Sequence, residues 1–199
     1  LKDLKLIERE IKGLGLRLIA GIDEAGRGAL AGPVISAAVI LPHNFYLPGI
    51  RDSKQLSAGK RKKLYKEISC QALDWAIGMA EAEVIDRINI LQATLTTMRE
   101  AIAGLHFKPQ CVLVDGNIFI PKLEIPQIVI VKGDQLSVSI AAASIIAKVT
   151  RDGLMEEWDN LYPQYGFSRH KGYATRQHLE NLRLFGPCRI HRRSYQPCR

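Results

Sequence analysis

The chain has 199 residues, of which 47% are hydrophobic and 24% charged, the balance of a folded domain that excludes a fibre or a wholly disordered segment. Lys and Arg number 28 against 20 Asp and Glu, a net charge of +8, which points to a polyanionic partner such as nucleic acid or an anionic membrane surface, or else serves only solubility. Cys70, Cys111, Cys188 and Cys198 form no CxxC pair, which argues against a zinc site or a disulfide framework and for a reducing compartment. No signal-peptide pattern is present, and no apolar run approaches the ~20 residues of a membrane helix. The expected location is cytoplasmic, with no membrane partner.

Leu1, Leu4, Ile7 and Ile11 share one face of a helix over residues 1–13, stopped by Gly13 and Gly15. Arg17–Asp23 reads as a strand closed by Gly26 and Gly28, and Val34–Leu41 as a second strand between Pro33 and Pro42. Ser57–Cys70 is a basic helix with Ser57 as its N-cap. Leu73–Ala80 is a third strand, and short connections make the first three antiparallel neighbours. Val84–Leu105 reads as one helix ending near Gly104. Cys111–Asp115 and Ile128–Val131 are short apolar runs, the mark of buried strands. Ser137–Leu161 is a long helix with an apolar first half, and Thr175–Phe185 a last helix before Gly186-Pro187. The basic tail Arg189–Arg199 is expected to be mobile. Strands first, then strands alternating with helices, give an α/β fold: a mixed sheet flanked by helices.

Four carboxylates break the pattern of solvated acids. Asp23 and Glu24 follow Leu18–Ile22, Asp115 follows Val112–Val114, and Asp134 lies between Ile128–Val131 and the apolar helix. Each stands at the end of a predicted buried element, where a bare charge costs several kcal/mol. A metal ion is one partner that meets such charge, and Mg²⁺ takes oxygen ligands from a few carboxylates plus substrate phosphate. Singly each acid has a plainer reading. Asp115-Gly116 is a common turn pair, and Asp134 could cap the following helix. Asp23 and Glu24, being adjacent, reach one site only if the strand ends or bulges there.

Gly26-Arg27-Gly28 is followed by Gly32, Pro33 and a strand, so neither the spacing nor the context of a dinucleotide-binding turn is met. Glycine lets backbone amides approach a phosphate or sugar, and Arg27 offers a fork for phosphate oxygens; a plain tight turn fits as well. The stretch Tyr165-Gly-Phe-Ser-Arg-His-Lys-Gly-Tyr173 mixes aromatics, cations and glycines, a candidate for stacking on nucleotides. Tyr165 and Phe167 are expected to pack inside, and Tyr173 is not.

Taken together the chain resembles bacterial ribonuclease HII. The matching stretches are Gly21-Ile-Asp-Glu-Ala-Gly-Arg-Gly28, Gly32-Pro33, Asp52-Ser-Lys-Gln-Leu-Ser57, Asp115-Gly-Asn117, Lys132-Gly-Asp134, Ala142–Asp152, Tyr165-Gly-Phe167, His170-Lys-Gly-Tyr173 and His191-Arg-Arg-Ser194. They follow one another in family order over about residues 17–195. The resemblance implies an RNase H-like mixed five-stranded sheet with a C-terminal helical extension. It divides a single domain into an N-terminal helix (1–16), a catalytic core (17–161) and a basic segment contacting substrate (162–199). It implies metal-dependent hydrolysis of the RNA strand of RNA/DNA hybrids and incision 5′ of single ribonucleotides in duplex DNA, leaving 5′-phosphate and 3′-hydroxyl ends. Asp23, Glu24, Asp115 and Asp134 match the family's catalytic, metal-binding acids, with a two-metal Mg²⁺ or Mn²⁺ site. Gly26, Arg27 and Gly28 match its ribose-reading turn, and Tyr173 its tyrosine at the RNA–DNA junction. Lys54, Lys148, Arg169, His170 and Lys171 complete the expected substrate contacts, and the protein is read as a monomer. Ala174, Gln55 and Gln135 depart from the residues common in the family, and none touches the acids. A ribonuclease HIII-like enzyme, a non-catalytic nucleic-acid-binding domain of the same fold and a junction resolvase are the alternatives.

Overall fold

The computed structural model describes residues 4–50 and 56–199. Five strands form one sheet in the order β3-β2-β1-β4-β5. They are β1 (Ile19–Ala25), β2 (Val34–Ile40), β3 (Asp74–Ala80), β4 (Cys111–Asp115) and β5 (Gln127–Ile130). β1 is central. It pairs antiparallel with β2 and parallel with β4; β2–β3 is antiparallel and β4–β5 parallel. This is the mixed five-stranded sheet expected, with its first three strands as antiparallel neighbours.

The helices are α1 (Leu6–Gly13), α2 (Ala58–Gln71), α3 (Ala82–Ile88), α4 (Ile90–Ala103), α5 (Val138–Leu161), α6 (Phe167–His170) and α7 (Arg176–Phe185). The sheet is apolar on both faces because helices cover both. On one face Ile35, Ala37 and Val39 pack with Leu64 and Ile68 of α2 and with Ala142, Ile145 and Ile146 of α5. On the other, Ala20, Ile22, Ala38 and Val112 pack with Leu95, Met98 and Ile102 of α4. α5 lies backbone-close on β1. A Cβ at Gly21 would stand 2.1 Å from the Ser139 carbonyl carbon, so only glycine admits the helix at this distance. The small residues Ala141–Ala143 continue the contact, which explains why this half of α5 is apolar all round.

Several elements differ from expectation. The helix read over Val84–Leu105 is two, α3 and α4, broken at Asn89. Asn89 takes φ 67°, and its side-chain oxygen accepts from Gln92 N at 3.1 Å. Asn tolerates positive φ and caps the new helix with its own amide, so no Gly or Pro marks the break. Asp134 does not cap α5. It lies in a short 3₁₀ turn, Gly133–Gln135, while Ser137 is the N-cap and accepts from Ile140 N at 3.2 Å. β1 runs on through Glu24 to Ala25, and α6 is an unforeseen single turn.

The largest correction concerns the tail. Residues 188–195 are ordered against the turn after β1. Arg192 and His191 are buried, His191 bridges Ala31, and Asp86 of α3 accepts from Arg193 N, Ser194 N and Ser194 Oγ. Basic composition suggested a mobile segment, but one of its cations is fully used inside the protein. Lys54 lies outside the described residues, as does most of the Asp52–Ser57 stretch.

Candidate active site

The pleat of the sheet decides which acids meet. Asp23 pairs with Ala37 and Glu24 with Ser36 in unbroken register, so their side chains leave opposite faces of β1. Asp23 points to the α5 face, where Ser144 donates to it, and Glu24 N donates back to Asp23 Oδ1 at 2.7 Å. Asp115 ends β4 beside β1 on the same face as Asp23, as its neighbour Leu113 packs on Ile140 of α5. Gly133 N donates to Asp115 Oδ1 at 2.6 Å, which ties the strand end to the turn that carries Asp134. Asp23 and Asp134 are each 4% exposed. Glu24 stands at the strand end, ion-paired with Arg27 at 3.2 Å.

Electrostatics mark this cluster. Burial, then the charges of Glu24 and Asp115, raise the Asp23 carboxyl well above its ordinary range. Such crowding of carboxylates without a cation is unfavourable. The donor set, oxygen only and without His or Cys, suits a hard divalent ion. Among the described residues no three His, Cys, Asp or Glu side chains already converge into a finished cage. The excess negative charge at Asp23 is thus what a cation would meet on arrival.

The turn that follows β1 is held by arginines. Gly26 takes φ 98°, and a Cβ there would come within 2.1 Å of Arg151 Nε and 2.7 Å of the Pro33 carbonyl oxygen. Gly28 has open space above it, and Arg27 is half-exposed. Beneath the turn Arg192 donates to the carbonyls of Gly26 (2.7 Å), Arg27 (2.8 Å) and Gly32 (2.9 Å). Arg151 donates to Pro33 (2.9 Å), Ala31 (3.0 Å) and Lys171 (2.9 Å). Both guanidiniums are 0% exposed, and burial lowers the pKa of both, that of Arg192 to about 10. The turn is therefore not a plain exposed loop.

The second expected segment packs against the first. Leu30 N and Ala31 N donate to the Gly172 carbonyl at 2.8 and 3.3 Å. Tyr165 and Phe167 are buried, as expected, and Tyr173 is 36% exposed. Arg151 and Lys148 lie over the Tyr173 ring, 5.4 and 5.6 Å from its centroid. His170 is buried, with Nε2 donating to the Tyr165 carbonyl (2.9 Å) and Nδ1 accepting from Gly172 N (3.2 Å). Both its ring nitrogens are thus committed to shaping the loop. His178 Nδ1 donates to the Tyr173 carbonyl (2.9 Å), its Nε2 accepts from His191 Nε2 (3.0 Å), and His191 Nδ1 accepts from Cys188 N (3.0 Å). Every bond in this chain is made by a neutral ring. Accordingly burial lowers the pKa of all three histidines, that of His191 to about 4.

Lys148, Arg169, His170, Lys171 and Tyr173 line one cleft of 440 Å³ together with Arg61 and Lys62 of α2. Asp152 and Glu156 on its floor hold these cations: Lys148 on Asp152 at 2.7 Å, Lys171 and Lys62 on Glu156 at 2.9 and 3.3 Å. The lysines hold Glu156 below its ordinary carboxyl range. Sequence reasoning missed Arg151, Arg192, His178 and the α2 cations as parts of the site. The one signal for Arg151 was a charge directly after the apolar half of α5. His178 and Arg192 carried none that spacing reveals.

A family model described as Ribonuclease HII matches residues 20–198. The chain belongs to the ribonuclease HII family. It is accordingly an endonuclease of the RNase H type, which sets aside the HIII-like, non-catalytic and resolvase readings. A ribonuclease HII of Syntrophus aciditrophicus is 57% identical over 191 residues, covering 95% of this chain and 89% of that protein. One of Syntrophomonas wolfei is 53% identical over 197 residues, covering 99% and 77%. The crystal structure of ribonuclease H2 from Pyrococcus horikoshii superimposes with a TM-score of 0.76 at 28% identity, over 90% of this chain and 94% of that one. Among the described residues no helix is long and apolar enough to cross a membrane.

Proposed function

We propose that this chain hydrolyses the RNA strand of RNA/DNA hybrids and incises 5′ of single ribonucleotides embedded in duplex DNA, leaving 5′-phosphate and 3′-hydroxyl ends. The observation that carries the reading is the crowding of Asp23 by Glu24 and Asp115 beside a turn, residues 26–33, locked rigidly at the same strand end. In the proposed enzyme Asp23, Asp115 and Asp134 would hold divalent cations, Mg²⁺ or Mn²⁺, with Glu24 reaching them around the strand from its opposite face. A pair of such ions supplies an activated water and stabilises the departing O3′.

The other roles fall to the chain itself. The backbone around Gly26 and Gly28 meets the 2′-hydroxyl, the handle that separates RNA from DNA. Arg27, half-exposed and ion-paired with Glu24, would offer its guanidinium to a phosphate oxygen. Tyr173 packs its ring on the next sugar, where an added hydroxyl would be left unpaired. The cleft lined by Lys148, Arg169 and Lys171 takes backbone phosphates, and Lys54 is assigned to the same task from the sequence. The 162–199 segment thus serves as substrate-facing extension of the 17–161 core. We place the enzyme in the cytoplasm as a monomer acting in ribonucleotide removal.

The test is cleavage of a duplex with one embedded ribonucleotide in Mg²⁺, Mn²⁺ or EDTA, with a continuous hybrid alongside. A cut 5′ of the ribonucleotide in either metal, abolished by EDTA, is expected. Intact duplex in both metals refutes the reading. Tyr173→Ala should lower kcat/KM on the embedded ribonucleotide far more than on the continuous hybrid, while Tyr173→Phe retains the preference.

A further inference from the structure

We infer that Arg151 is a positioning residue for junction recognition, fixing the spacing between the 26–33 turn and the Tyr173 ring. The inference rests on the reading of Tyr173 as the sensor of the deoxyribose. Arg151 donates to both elements at once, adding to the direct bonds from Leu30 N and Ala31 N to the Gly172 carbonyl. Its Nε and Nη2 donate to Pro33 and Ala31 of the turn, and its Nη1 donates to Lys171 of the loop. Its guanidinium carbon lies 5.4 Å from the Tyr173 ring centroid. The Gly26 backbone rests on the same side chain, since a Cβ there would strike Nε.

The chemistry of the residue suits this task. Burial lowers the Arg151 pKa, a penalty that its bonds to three carbonyls must offset. What the guanidinium adds is a planar fork with fixed angles between its donors. One fork therefore binds three carbonyls from two segments. Telling a ribose from the deoxyribose beside it needs two contacts at a set separation. A shift of about 1 Å between such contacts can lower a rate a hundredfold.

The experiment compares Arg151→Lys, Tyr173→Ala and the double variant, using kcat and KM on a duplex with one ribonucleotide and on a continuous hybrid. Arg151→Lys keeps the charge and loses the fork. The ratio of kcat/KM on the two substrates is expected to fall about tenfold or more, chiefly through kcat. Adding Arg151→Lys to Tyr173→Ala should lower that ratio no further. Arg151→Gln is held to the same criteria and replaces Arg151→Lys if thermal melting shows the latter unfolded.

An unchanged ratio, with activity on both substrates falling together with the melting temperature, means that Arg151 is structural only and overturns the inference. A fall that multiplies with that of Tyr173→Ala means independent action and overturns it too. An unchanged ratio in Tyr173→Ala alone shows instead that the junction reading has failed, and the inference falls with it.

Discussion

Arg192→Met tests whether the turn after β1 is built from the C-terminal segment. The substitution removes the donor to three carbonyls, Gly26, Arg27 and Gly32. Each bond from a charged donor contributes about 1.5–3 kcal/mol, roughly 6 kcal/mol for the three, although the Arg27 carbonyl keeps Tyr195 Oη at 3.1 Å and the Gly26 carbonyl keeps Ala29 N at 3.4 Å. Against this, Met relieves the penalty of keeping a guanidinium dehydrated. Burial lowers the pKa of Arg192 to about 10, a penalty worth about 3 kcal/mol. The net loss is about 3 kcal/mol, a large share of the ~5–15 kcal/mol that holds a domain folded. In a chain of this size it lowers Tm by about 6–12 °C. The assay is urea unfolding followed by far-ultraviolet circular dichroism, with the slope checked for constancy. A loss below about 1 kcal/mol would refute the argument, because it would mean that the tail is as mobile as its composition suggested.

Asp115→Asn keeps an oxygen for Gly133 N but removes a charge from the proposed metal site; cleavage should nearly cease with folding intact, and activity within about tenfold of wild type, ~1.4 kcal/mol, would exclude Asp115 as a ligand. Asp23→Asn should stabilise the metal-free protein at neutral pH by about 1–3 kcal/mol, since it removes a buried charge repelled by two others. Mg²⁺ should then raise Tm in wild type and not in the variant; a less stable Asp23→Asn counts against the crowding. The His191 pKa of about 4 lies below its ordinary 6.5, so its contribution is complete above pH 6.5 and is lost as pH falls towards 4. That loss is about 2.5 kcal/mol by pH 4.5. Asp23, with a raised pKa, runs the other way, its strain easing as pH falls. The comparison is therefore wild type against His191→Gln between pH 7 and 4.5; equal slopes would refute the neutral histidine chain.

The parts legible in the sequence were those written in local pattern. Apolar runs gave β2, β4 and α5 nearly to the residue, and Asp23 in β1 and Asp115 at the end of β4 stood out as acids inside apolar elements. Ser57 announced its helix because capping is a local bond. What stayed hidden depends on contacts far apart in the chain. Asn89 breaks a helix without Gly or Pro. Composition alone cannot distinguish Arg192, buried on carbonyls, from Arg193 beside it, whose side chain has no such carbonyl partners among the described bonds. That Asp23 and Glu24 leave opposite faces follows from the β1–β2 register, which continues past the expected strand end.

The bond from Arg192 to Gly26 spans 166 residues, and that distance has a consequence for synthesis. At about 5–20 residues per second, Arg192 is made on the order of ten to thirty seconds after Gly26. Throughout that interval β1 carries its acids, but the carbonyls beyond it have no guanidinium beneath them. A nascent chain that already displays Asp23 and Asp115 therefore cannot yet hold the turn proposed to read the 2′-hydroxyl. All four candidate acids are thus synthesised well before the guanidinium that fixes the turn beside them.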